Sequence, residues 1–198
     1  GLDVGRVEVL PRFKPSDRRF DMAGVVSVLA LPAQAAGAPG TPCPRPDRLF
    51  IERLHAFLSA RTPLATELYV IGADYVPLGV SVAVTVRDGH ARDQVLLEVR
   101  QALARLLWPL APGGIDRAGW GLGRPVRSRE LEVEVARVAG VDEVNALRLY
   151  TRTNAGSSTT VSAGDTPAWQ RLPQAGADGA MVLTLQRWQL PELLQVVA

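Results

Sequence analysis

Trp108 to Tyr150 reads WPLAPGGIDRAGWGLGRPVRSRELEVEVARVAGVDEVNALRLY, and its reading decides the fold. An apolar helix ends at Trp108-Pro109, where proline offers no amide hydrogen to continue it. A Gly/Pro-rich loop follows and closes on Gly119-Trp120-Gly121-Leu122-Gly123-Arg124-Pro125-Val126. A short amphipathic segment then leads through Ala139-Gly140 into a strand beginning at Val141. The stretch offers no candidate nucleophile, base or metal cluster. Its glycines permit close backbone approach, and Trp120 supplies a large apolar surface. Such a device positions backbone and one indole, which points to assembly rather than catalysis.

Outward from this stretch, Ala91 to Leu107 forms a helix with Val95, Val99, Leu103, Leu106 and Leu107 inward. The turn Asp88-Gly89 precedes it. Before the turn, Val76 to Val86 alternates strictly: Val76, Leu78, Val80, Val82, Val84 and Val86 share one face. Gly79, Ser81, Ala83 and Thr85 share the other, a surface small enough for a covering helix or a neighbouring chain. Asp47 caps a helix to about Ala60, with Phe50, Leu54, Phe57 and Leu58 on one stripe. Strands are expected at Val7–Leu10, Gly24–Leu31 and Leu68–Ile71.

Arg129 to Val138 fits both periods. Leu131, Val133 and Val135 alternate with glutamates, whereas Leu131, Val135 and Val138 form a helical stripe. Ser128 as N-cap and Glu130 in the first turn favour a helix, with Gly140 ending it. Val141 to Arg152 follows as a strand, then a Ser/Thr/Gly turn at Asn154–Gly164. Met181–Gln186 and Leu193–Val197 are expected to close the chain as a pair of strands, with Pro191 limiting their junction.

The order ββ, α, ββ, α, α, β, ββ predicts an α+β fold: a mixed sheet with helices on one face, plus a small β unit built from the two chain ends. The expected organisation is a β segment and Pro/Gly loop over 1–46, an α+β core over 47–152, and a C-terminal β segment over 153–198 that packs with the N-terminal one.

The serial order of helix, P-x-x-P-G-G, G-W-x-x-G-R-P-V, S-x-E-L and V-x-G-V-D-x-V resembles the baseplate J-like family. Arg61-Thr62-Pro63-Leu64, Val70 and Asp74-Tyr75-Val76-Pro77-Leu78-Gly79-Val80 fit the same pattern, as does Asp47–Leu58 as the preceding helix. The likeness covers roughly residues 45 to 150. Leu122 departs from it, since an aromatic residue is common there in the family. The resemblance implies a wedge component of the baseplate of a contractile-tailed phage or bacterial contractile injection system. It implies a multi-copy ring around a central hub and spike, contacts with other wedge subunits and sheath-proximal proteins, and coupling of baseplate rearrangement to sheath contraction. It further implies assembly in the bacterial cytoplasm before incorporation into the particle.

Composition is consistent with this. With 47% hydrophobic and 21% charged residues, 198 residues can bury a substantial core. Charges interrupt every apolar run too soon for a bilayer span, and no signal-peptide pattern opens the chain. Net charge is +2 and arginines alternate with acids, so no basic stripe suited to nucleic acid is present. Cys43 is the lone cysteine, and only His55 and His90 could activate a nucleophile.

The rival reading is a small anion- or nucleotide-binding domain, or an enzyme, using the Gly-rich 113–127 loop. Gly119-x-Gly121-x-Gly123 superficially resembles a phosphate loop, but Val126 stands where a dinucleotide fingerprint needs its third glycine. No catalytic, cofactor-binding or metal residues are assigned, and no enzymatic activity or cofactor is expected. The residues expected to anchor the loop or form an interface are Gly119, Trp120, Gly121, Gly123, Arg124 and Arg127. Trp120 is expected to be buried against helix 91–107 or a partner chain. Arg124 or Arg127 is expected to meet a carboxylate or carbonyl of another subunit or domain.

Overall fold

A computed structural model describes residues 2–36, 41–152, 168–174 and 179–198. The chain is α+β, with three helices distributed among small sheets in the described residues. It divides into two compact units: Gly1–Ala35 with Cys43–Asp74, and Ala36–Pro42 with Tyr75–Ala198. This division differs from the three-segment organisation expected from sequence, because helix α1 (Arg48–Ser59) belongs with the N-terminal strands.

In the first unit β1 (Val4–Pro11) pairs antiparallel with β2 (Val25–Pro32), which pairs parallel with β3 (Glu67–Ile71). The parallel β2–β3 pair needs a crossover, and α1 supplies it. Asp47 caps this helix as expected, its carboxylate accepting from the Phe50 amide at 2.7 Å. Phe50 and Leu54 pack on Ala30 and Val70, flanked by Leu2, Val4, Ile51 and Leu58. Phe57 departs from the expected stripe: it is exposed, and the Arg61 guanidinium lies 3.9 Å from its ring centroid.

In the second unit β4 (Asp74–Val86) lies between β6 (Val141–Thr151) and β9 (Gln189–Val197), with the short β7 (Gln170–Arg171) beyond β6. A separate two-stranded ladder joins β5 (Val126–Arg127) to β8 (Val182–Leu183). Helix α2 (Arg92–Leu106) packs with α3 (Ser128–Ala136), and α3 packs on β6. Leu78, Val80, Val82, Leu147 and Leu149 form the buried face of the β4–β6 pair, while Val95, Val99, Leu103, Leu106 and Leu107 are buried as expected.

The spacing of β6 has a definite cause. Its apolar residues fall at Val141, Val144, Leu147 and Leu149 rather than at every second position. Opposite the regular β4, the register shifts between Ala83 and Val84 and again between Thr85 and Val86. Each shift places one extra residue in β6, so a spacing of three still returns to the same face.

Three expectations need correction. The two chain ends do not build a shared β unit: among the described residues β1 pairs with β2, and β9 adjoins β4. The expected pair Met181–Gln186 and Leu193–Val197 also separates, since β8 turns to β5 and β9 to β4. Pro191 lies inside β9 rather than at its boundary, which an edge strand tolerates because one side of its backbone needs no ladder donor. On the small-residue face of β4, an aromatic side chain of the same unit packs at Gly79. The Trp169 ring occupies that place, 3.1 Å from where a Gly79 Cβ would stand. The expected Asn154–Gly164 turn lies outside the described residues.

Candidate functional site

The segment from Trp108 to Ser128 is a clasp built from its own backbone. At the end of α2 the amide of Gly114 donates to Leu106 O at 3.0 Å and that of Gly113 to Leu110 O at 2.8 Å. Gly119 N then donates to Gly113 O at 2.7 Å and Trp120 N to Trp108 O at 2.9 Å, folding the loop back onto the helix end. Gly123 N donates to Gln189 O at 2.9 Å, which fastens the loop to the start of β9.

Of Gly119, Gly121 and Gly123, two are obligatory glycines. Gly119 has φ +94°, and a Cβ on it would stand 2.3 Å from Pro109 O; Gly123 has φ +69°, and its Cβ would stand 2.8 Å from Arg187 Cα. In both cases the obstructing atom is backbone and cannot swing aside. Gly121 is less constrained, its nearest neighbour being Arg124 Cβ at 3.3 Å.

Trp120 is 1% exposed. Its Nε1 donates to Arg124 O at 3.1 Å, and the Arg124 guanidinium lies 5.1 Å from the indole centroid. Arg124 also donates from Nη2 to Glu130 Oε1 at 3.2 Å, so it already has a carboxylate partner on its own chain. Arg127 is exposed in β5 and has no ion pair among the described residues. The clasp thus holds Gly119, Trp120, Gly121, Gly123 and Arg124 together, and leaves the Arg127 side chain outside.

Ser128 does not cap α3; the N-cap is Arg127, without a side-chain hydrogen bond. The Ser128 hydroxyl instead accepts from Met181 N at 3.0 Å, while Ser128 N donates to Met181 O at 2.9 Å. Met181 Sδ in turn accepts from Leu149 N at 3.3 Å. The sequence reading placed Met181 at the start of a strand but offered no signal for this buried junction of α3, β6 and the C-terminal segment. Between Gly114 and Gly119 the exposed tip Ile115–Ala118 projects before the fold-back, and Arg117 adopts a left-handed φ of +59°.

Six of the loop's amides, at Gly113, Gly114, Gly119, Trp120, Gly123 and Arg124, already donate to carbonyls and are not free to cradle a phosphate. His55 is exposed beside Ser59 Oγ at 3.3 Å, and Cys43 is buried. Among the described residues no group of His, Cys, Asp or Glu is placed to hold a metal ion, and no helix is long and apolar enough to cross a membrane.

No protein-family model matches the chain, and no curated protein matches it. Among solved structures, it is similar to a chain of the anti-feeding prophage (AFP) baseplate, 6-fold symmetrised, with a TM-score of 0.51 at 15% identity. The match covers 99% of this chain and 34% of that one. The chain thus spans about one third of the length of that baseplate chain and is similar to it in fold there.

Proposed function

We propose that this chain is a structural wedge component of the baseplate of a contractile injection system or phage tail. It joins neighbouring baseplate subunits around the central hub and helps couple baseplate rearrangement to sheath contraction. The observation carrying this reading is the likeness in fold to a baseplate chain, which covers 99% of this chain at a TM-score of 0.51. The serial motif of residues 45 to 150, which resembles the baseplate J-like family, supports it independently. The clasp fits an assembly role: it is held by several backbone hydrogen bonds of its own, and it presents Arg127 and the tip Ile115–Ala118 outward. Arginine at such positions suits a protein interface.

Because the match spans a third of the baseplate chain, the ring, hub and sheath contacts belong to this proposal. The test is electron microscopy of particles from cells carrying a tagged copy of the chain. Density or label at the baseplate, and loss of sheathed particles on deletion, are the expected results. Normal contractile particles without the chain would overturn the assignment.

A further inference from the structure

Strand β1 is an edge of its sheet: among the described residues it pairs with β2 alone. The pairing fixes which backbone groups face outward. Arg12 N donates to Val25 O at 2.8 Å, and the register continues from there as Pro11↔Val26, Leu10↔Ser27, Glu8↔Leu29 and Arg6↔Leu31. Antiparallel pairs alternate between hydrogen-bonded and open. Arg12, Leu10, Glu8 and Arg6 therefore bond β2, and Pro11, Val9 and Val7 turn their backbone groups to the open side. Pro11 is tolerated there because no donor is required of it.

The open stretch is framed. Pro11 ends it on one side and a register irregularity between Val4 and Arg6 ends it on the other. Both are devices that natural edges use to limit pairing. What remains is Gly5 to Val9, centred on Val7. Its side chains are unusual for a free edge: Val7 is 50% and Val9 59% exposed, on the sheet face that carries Ala30 and α1. Beside them on that face lies an apolar groove of about 490 Å³, lined by Leu2, Val4, Arg53, Leu54 and Phe57.

We infer that this edge pairs antiparallel with the same edge of a second copy of the chain, about a two-fold axis at Val7. The sequence is self-complementary about that residue. The axis sets Arg6 of one copy opposite Glu8 of the other, and Glu8 opposite Arg6. Within one copy these two already lie on the same face, 2.8 Å apart, so pairing joins two dipolar pairs into an alternating square. On the other face Val7 meets Val7, and each Val9 lies over the partner's Gly5, where no side chain obstructs it. That position adjoins the groove, so the exposed Val9 gains an apolar neighbour. The contact is isologous and closes as a dimer rather than growing into a fibre. Its short ladder makes it a weak association, in the range of about 1–100 µM.

This inference is independent of the baseplate proposal, and its test uses the purified chain alone. Sedimentation velocity across that concentration range should show reversible dimerisation. Val7→Lys places two ammonium groups opposite each other on a surface the monomer already exposes, and should weaken the dimer at least about tenfold. Val7→Pro removes only an outward amide and should do the same, with the monomer's circular dichroism unchanged. Glu8→Arg should weaken self-association, and mixing it with Arg6→Glu should restore a mixed dimer. Should Arg6→Glu fail to fold, the two Val7 variants decide. A chain that stays monomeric throughout, or a dimer insensitive to both Val7 changes, overturns the inference while leaving the baseplate role untouched.

Discussion

Trp120 and Arg124 hold each other twice. The indole Nε1 donates to the Arg124 carbonyl at 3.1 Å, and the Arg124 guanidinium lies 5.1 Å from the indole centroid. The three residues between them are thereby held by the edge and a face of one ring. Arg124 is then tied to α3 through Glu130, so direct contacts join the loop, the indole and the following helix.

Trp120→Ala should destabilise the isolated chain by about 3–5 kcal/mol, the range for emptying a buried aromatic site. Trp120→Phe should cost less but remain measurable, because Arg124 O loses its donor. Trp108→Phe provides the contrast. Trp108 is also buried, yet its Nε1 has no hydrogen-bond partner among the described residues. Removing an unpaired buried donor recovers a desolvation cost of about 1–3 kcal/mol that offsets lost packing. Urea unfolding should therefore rank Trp108→Phe as milder than Trp120→Phe.

Gly119→Ala and Gly89→Ala separate sterics from backbone conformation. Both glycines have positive φ, but a Cβ at Gly89 meets nothing within 4 Å, whereas one at Gly119 lies 2.3 Å from Pro109 O. Gly89→Ala should cost about 1–2 kcal/mol from conformation alone. Gly119→Ala should exceed it clearly in the same thermal or urea measurement. Equal losses at the two sites would show that the clasp can yield.

Ser128→Ala should destabilise by about 1–3 kcal/mol, since Met181 N is buried and would lose its acceptor. Ser128→Thr keeps the hydroxyl and serves as the control. A capping role would predict a loss confined to α3 helicity. The geometry predicts instead that hydrogen-exchange protection falls at Met181 and along β5–β8.

Arg124→Ala and Arg127→Ala should differ in kind. Arg124 is half-buried and paired with Glu130, whose other carboxylate oxygen is buried without a partner among the described residues. Its loss should lower the stability of the isolated chain by up to about 1 kcal/mol, the range of a partly exposed ion pair. Arg127→Ala should leave stability unchanged and reduce incorporation into particles. Wild-type incorporation of Arg127→Ala would remove that side chain from the proposed interface.

The sequence by itself determined the elements whose cause is local. Asp47 caps α1 because a carboxylate three residues before an amide suffices. The period of Val95, Val99, Leu103 and Leu106 selects a helix, and the alternation of Val76 to Val86 selects a strand. The glycine spacing around Trp120 announced a tight turn, and its indole is indeed buried. The α+β class followed from that order of elements. Only the tertiary structure decided which strand meets which. Strand pairing is non-local, and a two-residue ladder such as β5–β8 carries no pattern of its own. It gave β9 to β4 instead of to the N-terminal strands, spent the Ser128 hydroxyl on Met181 rather than on a cap, and set Trp169 against Gly79. It also neutralised Arg124 with Glu130 while leaving Arg127 exposed, a distinction invisible in a sequence where both follow the same glycine loop. Each of these depends on surfaces brought together across tens of residues, where the choice among possible partners is made by packing and hydrogen-bond satisfaction rather than by local preference.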